Sequence, residues 1–333
     1  MDRIDPAAKE VAKRIRRYQF ESFAVGVSMP EGVQDREDEL RANSKLKGNE
    51  TIKTQTARFI ADAVAARLGK RVNKTNPDLT VIVSIGSSKV EVLSKPLFLY
   101  GRYTKPAGIS QKRKPCQHCS GRGCIKCKAT GFERRPSVEG KLRAKLAKTT
   151  GTDKMKFTWI GSEDRDSRVY FPGRPFVVEL KSPVKRKVPR NFLVRSKRGL
   201  ICISICRVLP SKPIGIPGFR FRTEITATVA NEVNAESLAE VRKRFRRVVV
   251  RFNRPHERPV QKTVYSVRTR KHGKTLAIDA ELDGGLPVKR FVSGELVSPS
   301  VSEVLKTEVK CRRFDIREVK ETGRFEFGKV ARL

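Results

Sequence analysis

Four cysteines in one short segment constrain the fold of this chain more than any other feature. They are Cys116, Cys119, Cys124 and Cys127, spaced as C-x2-C, four intervening residues and a second C-x2-C. Two such pairs can place four thiolates at the corners of a tetrahedron, which is the coordination of structural zinc. Four thiolates leave no open position for water, so we expect the zinc to stabilise this segment rather than to act in catalysis.

A large excess of positive charge limits the partners of the chain, which carries a net charge of +38 over 333 residues. Between residues 101 and 150 there are 14 lysines and arginines but 2 acids, and between 181 and 200 there are 8 cations and no acid. Because the cations are spread over most of the chain, we expect a long polyanion such as RNA or DNA as the partner.

The same sequence disfavours a membrane or secreted protein. It has no apolar run as long as a membrane span, and its charged first residues lack the apolar region of a secretory signal. Cysteines in metal-binding spacing are typical of a reducing compartment. We therefore expect a cytoplasmic protein with no membrane partner.

Sequence patterns before the cysteines predict a small α/β module. Residues 54–69 have apolar positions at helical spacing and end at Gly69, where a C-cap glycine belongs. The runs LTVIVSIG and KVEVLSKPLFLYG then predict a strand hairpin that closes the module near Lys105. Residues 26–49 are polar and predict a loop. After the cysteines, strand-like runs dominate, interrupted by a predicted helix around residues 235–247.

An acidic cluster stands out in this basic chain. Glu163, Asp164 and Asp166 lie between the strand-like runs FTWIG and RPFVVEL. One interpretation is a polar loop whose acids pair with neighbouring arginines. Metal ligation is a further option, although neither a partner histidine nor a spaced acid group supports it.

Four segments occur in the order found in one enzyme family. They are PLFLYGRYTK, the cysteine segment PCQHCSGRGCIKCKATGF followed by SVEG, the acidic segment SEDRDSRVYFPGRPFVVELKSP, and PVKRFVSGELVSPSVSEVL. Together they resemble the Pus10 tRNA pseudouridine synthases of archaea and eukaryotes, and the cysteine segment is similar to that of the archaeal members. Each segment is weak alone, and the shared order carries the resemblance.

The resemblance implies an α+β fold with three parts. Residues 1–105 correspond to a THUMP-like RNA-binding module, 106–135 to a four-cysteine zinc knuckle, and 136–333 to a pseudouridine synthase domain built on a mixed, mostly antiparallel sheet. It implies isomerisation of uridine to pseudouridine in the tRNA T-loop, at positions 54 and/or 55. Neither a metal nor an organic cofactor is needed for that chemistry, and no obligate protein partner is expected.

By the resemblance, Asp164 is the catalytic nucleophile, with Asp166 as the second candidate. Lys289 is the cation that faces the catalytic carboxylate. Ser162 stands where the family has an arginine.

The expected substrate-binding residues are Arg174, Ile225 and Pro287, the last two at positions where the family has tyrosines. These missing tyrosines favour an alternative, a non-catalytic zinc-containing protein that binds tRNA or rRNA. The acidic segment with its GRPF sequence, together with Lys289, favours the enzyme.

Overall fold

The computed structural model describes residues 4–44, 50–87, 89–253 and 258–328. The helices are α1 (Ile4–Ile15), α2 (Val33–Asn43), α3 (Ile52–Leu68), α4 (Val138–Thr150), α5 (Ala235–Arg244), α6 (Val288–Ser293) and α7 (Val301–Leu305). The strands are β1 (Ser22–Ser28), β2 (Arg71–Val72), β3 (Leu79–Ser84), β4 (Lys89–Ser94), β5 (Leu97–Lys105), β6 (Met155–Trp159), β7 (Val169–Leu180), β8 (Asn191–Ser196), β9 (Gly199–Leu209), β10 (Pro213–Gly215), β11 (Phe219–Val229), β12 (Val248–Phe252), β13 (Val260–His272), β14 (Thr275–Asp283), β15 (Val297–Ser298), β16 (Val309–Glu321) and β17 (Glu326–Phe327). None of the helices in these ranges has the length and apolar character needed to cross a bilayer.

The N-terminal module is a four-stranded sheet covered by two helices. Its strand order is β2-β1-β3-β4, with β1 parallel to β2 and β3, and β4 antiparallel to β3. Alternate residues of β3 are buried, as expected for a strand with one covered face. Val11 of α1 and both Ile60 and Val64 of α3 are fully buried against this face.

The predicted helix before Gly69 is confirmed, since α3 ends there and Gly69 has a left-handed backbone with φ of 63°. The predicted loop over residues 26–49 is wrong where the structure describes it, because β1 runs to Ser28 and α2 follows. The α2 sequence VQDREDELRAN is polar on nearly every side, so it shows no helical apolar stripe. Residues 45–49 of that predicted loop lie outside the described residues.

The larger sheet has 11 strands and contains the main core. Its order is β15-β12-β13-β14-β11-β16-β7-β5-β9-β8, with β6 also paired to β7. All pairs in it are antiparallel except β7 with β16. The α+β class and the mixed, mostly antiparallel sheet are therefore confirmed.

The predicted second strand of the N-terminal hairpin is divided between the two sheets. β4 stays in the N-terminal sheet, whereas β5 pairs with β7 and β9 in the larger one. The change occurs at Lys95–Pro96, where the proline has no N–H to continue a ladder. The division into three parts remains a proposal, and sheet membership places its first boundary at this dipeptide rather than at Lys105.

A short segment after β7 holds the N-terminal module against the larger domain. The backbone N–H groups of Arg186 and Lys187 both donate to the Gln19 side-chain oxygen, at 2.8 and 2.9 Å. The Gln19 N–H donates to the Val184 carbonyl at 2.8 Å, and the Ser94 hydroxyl donates to the Pro183 carbonyl at 2.7 Å. Three of these four bonds use the side chain of Gln19 or Ser94, so the contact depends on these two residues.

The larger sheet consists of two antiparallel groups that meet at one place. β7 lies beside β16 in parallel, with Ile316 opposite Val169. β5, β6, β8 and β9 lie on the β7 side, and β11 to β15 lie on the β16 side. The loop of residues 161–168 leads directly into β7, so it is placed where the two groups meet.

Candidate active site

An ion pair between Asp164 and Lys289 lies at the junction of the two strand groups. The Oδ2 atom of Asp164 and the Nζ atom of Lys289 are 2.8 Å apart. Asp164 lies in the loop before β7, and Lys289 lies in α6, which packs against β16. The side chains are 44% and 55% exposed, so both remain accessible to a ligand. The hydrogen bond to Asp164 raises the pKa of Lys289, so the amine stays charged beside the Asp164 side chain.

A cavity of 540 Å³ opens beside this ion pair. Much of its wall is aromatic or aliphatic, from Trp159, Phe221, Leu286, Pro287, Val288, Phe314 and Ile316. Its polar side chains are Lys112, Ser162, Glu163, Asp164, Arg174 and Lys289. An apolar wall with a few converging polar groups suits a flat ring whose polar edge meets the ion pair.

The side chain of Glu163 holds the loop of residues 161–168 from the protein interior, and it has no exposed surface. Arg174 donates from Nη1 to its Oε2 at 3.1 Å, and the Tyr103 hydroxyl donates to its Oε1 at 2.7 Å. Gln111 donates from Nε2 to the Tyr103 hydroxyl at 2.9 Å. Because a buried carboxylate needs such partners, these four side chains form one unit that fixes the loop.

The start of the loop fits closely around Arg174. Its Nε donates to the Ile160 carbonyl at 3.1 Å. Gly161 has φ of 78°, and a Cβ at this position would overlap the Arg174 guanidinium. Glycine is therefore required both by the backbone and by the space. Burial, and secondarily the Glu163 charge, raise the pKa of Tyr103 well above its ordinary value, so its hydroxyl stays a donor.

Lys105, at the end of β5, holds the second half of the loop. Its Nζ donates to the backbone carbonyls of Asp164 at 3.1 Å, Arg165 at 3.2 Å and Ser167. The residue is 2% exposed, and burial lowers the pKa of its amine to about 8. Sequence reasoning missed this residue because its partners lie about 60 positions away.

Two of the three predicted substrate-binding residues line the cavity. Pro287 lies at the start of α6, two residues before Lys289. Arg174 is 6% exposed and is committed to Glu163 and a backbone carbonyl, so its geometry favours holding the loop over touching a ligand. Asp166 is exposed and does not line the cavity, which favours Asp164 over the second candidate.

The third predicted substrate-binding residue, Ile225, lies away from the cavity. It is 2% exposed in the main core and does not line the cavity. Phe221, four residues earlier on β11, lines the cavity instead. Since side chains of a strand alternate between faces, both positions share one face, and only the nearer one reaches the site. The aromatic wall on β11 is therefore a phenylalanine without a hydroxyl.

The four cysteines come together as predicted. Their Sγ atoms all lie within 4.8 Å of one another, with Cys116–Cys124 at 4.0 Å and Cys119–Cys127 at 3.9 Å. Backbone N–H groups donate to two of the sulfurs, from Gly123 to Cys119 at 3.2 Å and from Cys124 to Cys127 at 3.1 Å. Donors aimed at sulfur favour thiolates, so the cluster is arranged to hold a metal ion.

Comparison with known proteins places the chain in a family. The family model "Pus10 THUMP domain, archaeal" matches residues 7–84, and "Pus10, C-terminal" matches residues 98–200. The tRNA pseudouridine synthase Pus10 of Nitrosopumilus maritimus is 32% identical over 306 residues, which are 91% of this chain and 79% of that protein. The Cenarchaeum symbiosum protein of the same name is 31% identical, over 91% of this chain and 75% of its own.

These matches cover most of both proteins, and the chain belongs to the Pus10 family. The gap between the two matched regions contains Lys95–Pro96, where the structure divides its two sheets. Among solved structures, a chain of the "Crystal Structure of a Cbf5-Nop10-Gar1 Complex" aligns with a TM-score of 0.36 at 10% identity, over 66% of this chain and 49% of its own.

Proposed function

We propose that the protein is a tRNA pseudouridine synthase that isomerises uridine in the T-loop, at position 54, 55 or both, with Asp164 as nucleophile. One observation carries the proposal. In a member of the Pus10 family, the motif aspartate and the motif lysine form an ion pair 2.8 Å long beside a cavity whose wall combines aromatic and aliphatic side chains with polar ones. The T-loop positions rest on the family resemblance alone.

The chemistry needs a carboxylate that is both ionised and accessible. Lys289 supplies the adjacent positive charge, and the buried Glu163 unit holds the loop that presents Asp164. The uridine leaves the base stack to enter the cavity. Asp164 attacks C1′ of the nucleoside as the bond between C1′ and N1 of uracil breaks. The uracil turns and attacks C1′ through C5, which breaks the bond to Asp164 and frees its carboxylate. The C5 hydrogen then leaves as a proton, and N1 gains a proton.

The remaining cations serve tRNA binding in this proposal. The THUMP-like module and the cysteine knuckle hold the tRNA body and acceptor end through phosphate charge and shape. The net charge of +38 supports this role, as do the cation-rich stretches at 101–150 and 181–200.

The four cysteines fit zinc. Four sulfurs each about 2.3 Å from zinc form a tetrahedron with edges of about 3.8 Å. Three of the six Sγ separations, at 4.0, 3.9 and 3.7 Å, are close to this value, and all six are within 4.8 Å. Zinc would link both ends of the knuckle, and its closed sphere of four thiolates would serve the fold and not the chemistry.

Loss of one zinc ligand is expected to unfold the knuckle locally. Purified protein should contain one zinc per chain, and Cys119→Ser should release it, because zinc binding contributes to folding free energy. Elemental analysis and susceptibility of residues 110–135 to protease would measure both effects. Cys206→Ser, at an exposed cysteine outside the cluster, is the matched control and should retain the metal. Freshly purified protein without zinc would contradict the assignment.

Removing the cation beside Asp164 is expected to slow turnover by about a hundred-fold or more, the usual cost of losing one preorganised charge partner. The variant is Lys289→Met, and the readouts are kcat and KM for a tRNA transcript. Arg290→Met, the next residue of α6, removes the same charge without touching Asp164 and should leave kcat near wild type. Equal effects of the two substitutions would remove the proposed role of Lys289.

The direct test of the function uses tRNA labelled with tritium at C5 of uridine. Because the C5 hydrogen is lost when the uracil reattaches, pseudouridine formation releases tritium into water. Wild-type protein should release it in proportion to the uridines modified. The alternative, an RNA-binding protein without activity, draws support from the absence of a tyrosine among the described residues that line the cavity. Tight tRNA binding with no tritium release would establish that alternative.

A further inference from the structure

A second cavity, of 550 Å³, adjoins the loop that carries Asp164. Four separate parts of the chain form it: the segment after β5 at Gly108, the exit of the knuckle with the start of α4, the loop at Arg165, and the turn between β8 and β9. Six of its lining residues are cations, which together are called the basic groove: Arg134, Arg135, Lys141, Arg165, Lys197 and Arg198. The other lining residues are Gly108, Pro136 and Ser196, so the lining has no carboxylate.

The cations of the basic groove lack acidic partners within the protein. No carboxylate among residues 4–44, 50–87, 89–253 and 258–328 forms an ion pair with any of the six. Arg134, Arg135, Lys197 and Arg198 are exposed, whereas Lys141 and Arg165 are partly buried. Six like charges around one concave surface create a positive potential that an anion from outside the protein would neutralise.

The basic groove is fixed to the active-site loop. Arg165 follows Asp164 directly, and its carbonyl accepts a hydrogen bond from the Gly108 N–H at 2.9 Å. In return, the Arg165 Nε donates to the Gly108 carbonyl at 3.2 Å. The Arg198 side chain packs over Gly108, and Lys105 holds the Arg165 carbonyl from inside. The position of the basic groove relative to the Asp164–Lys289 pair is therefore fixed.

We propose that the basic groove binds backbone phosphates of the RNA strand immediately next to the nucleotide held at Asp164. The proposal rests on the proposed function, because Asp164 marks the position of the target uridine. Arg165 directly follows Asp164 in the loop and lines the basic groove, so an RNA strand held at Asp164 can continue over this surface. Five further cations contributed by the knuckle exit, α4 and the β8–β9 turn then line its path.

An RNA backbone fits this surface better than an acidic protein segment does. Four of the six cations are arginines, whose planar guanidinium groups match phosphate oxygens with two parallel hydrogen bonds. Guanidinium groups bind carboxylates in the same way. However, an RNA substrate must reach Asp164, whereas an acidic peptide has no reason to bind next to this residue. The groove also joins the knuckle to the catalytic loop, which gives the knuckle a part in placing the substrate strand.

The test compares two double variants that remove equal charge. Lys197→Ala/Arg198→Ala removes two groove cations, and Lys243→Ala/Arg244→Ala removes two exposed cations of α5, on the other strand group. If both groove residues contact phosphates, the plot of log Kd for tRNA against log salt becomes shallower by about 1.4–1.8 in the groove variant. KM should rise more than kcat falls. The α5 variant should keep the wild-type slope and KM.

Ethylation interference on the tRNA locates the contact. Ethylated phosphates close to the target uridine should weaken binding of the wild type and the α5 variant, but not further weaken binding of the groove variant. Arg134→Ala/Arg135→Ala is a second groove variant that should repeat this result. Binding, KM and interference indistinguishable from those of the α5 variant would overturn the proposal, even with full enzyme activity. A different result would separate the two proposals. If interference is lost in the groove variants but the wild type makes no pseudouridine, the basic groove binds RNA phosphates and the proposed function is wrong.

Discussion

Asp164→Ala is expected to abolish pseudouridine formation while tRNA binding stays close to normal. The rate should fall by more than about 10⁴-fold, as expected when a nucleophile is removed. The other carboxylate of the cavity, Glu163, is held by Arg174 and Tyr103 and is not free to replace it. Binding should persist because the substitution changes the net charge only from +38 to +39.

Asp166→Ala is the matched control for this experiment. Asp166 is exposed, lies two residues from Asp164 and does not line the cavity, so the substitution should leave most of the activity. Single-turnover rates and tRNA affinities of both variants separate chemistry from binding. Loss of activity in Asp166→Ala with full activity in Asp164→Ala would exchange the roles of the two aspartates.

The second large effect is expected from breaking the buried pair beneath the loop. Arg174→Met leaves the Glu163 carboxylate without its cation in a site where its side chain has no exposed surface. Removing one partner of a buried ion pair typically costs about 3–5 kcal/mol of folding free energy. Denaturant unfolding should show this loss, and the displaced loop should also lower activity.

A surface pair provides the comparison for that result. Arg222 pairs with Asp279 at 2.8 Å, but their side chains are 51% and 28% exposed. Arg222→Met should therefore cost about 1 kcal/mol or less. Combining Arg174→Met with Glu163→Gln removes the uncompensated charge and should recover part of the lost stability. A similar loss of folding free energy in Arg174→Met and Arg222→Met would contradict the claim that burial makes the Glu163 pair important for stability.

The sequence predicted those parts of the site that depend on local spacing or on motif order. The cysteine cluster is local, since a twofold C-x2-C pattern brings the sulfurs together within one short turn structure. Asp164 and Lys289 lie far apart in the chain, and only the ordered motifs indicated that they meet. The structure brings them to 2.8 Å by joining the two strand groups.

The support beneath the loop could not be predicted from the sequence. Lys105, Tyr103 and Gln111 reach the loop from about 50 to 60 residues away. Tyr103 and Lys105 lie on β5, so their positions depend on its pairing with β7, a strand far away in the sequence. A lysine inside a cation-rich stretch also looks like a surface residue, and only the fold buries it.

Tertiary packing explains two differences between the sequence analysis and the structure. Motif matching selected Ile225, but the cavity is reached from the same strand face at Phe221, because positions four apart on a strand are equivalent in sequence pattern and not in depth. Similarly, the predicted loop over residues 26–49 includes the end of β1 and all of α2, because the sequence of α2 is polar. Tertiary packing determines which residue of β11 reaches the cavity and whether the polar segment forms a helix, and the local sequence pattern determines neither.

The most direct test is nucleotide-resolution mapping of pseudouridine in a tRNA transcript incubated with the wild-type protein and with Asp164→Ala. The proposed function predicts pseudouridine at T-loop position 54, 55 or both with the wild type, and unmodified uridine at these positions with Asp164→Ala. Unmodified RNA with both proteins, or the same product with both, would contradict an enzyme whose chemistry depends on Asp164.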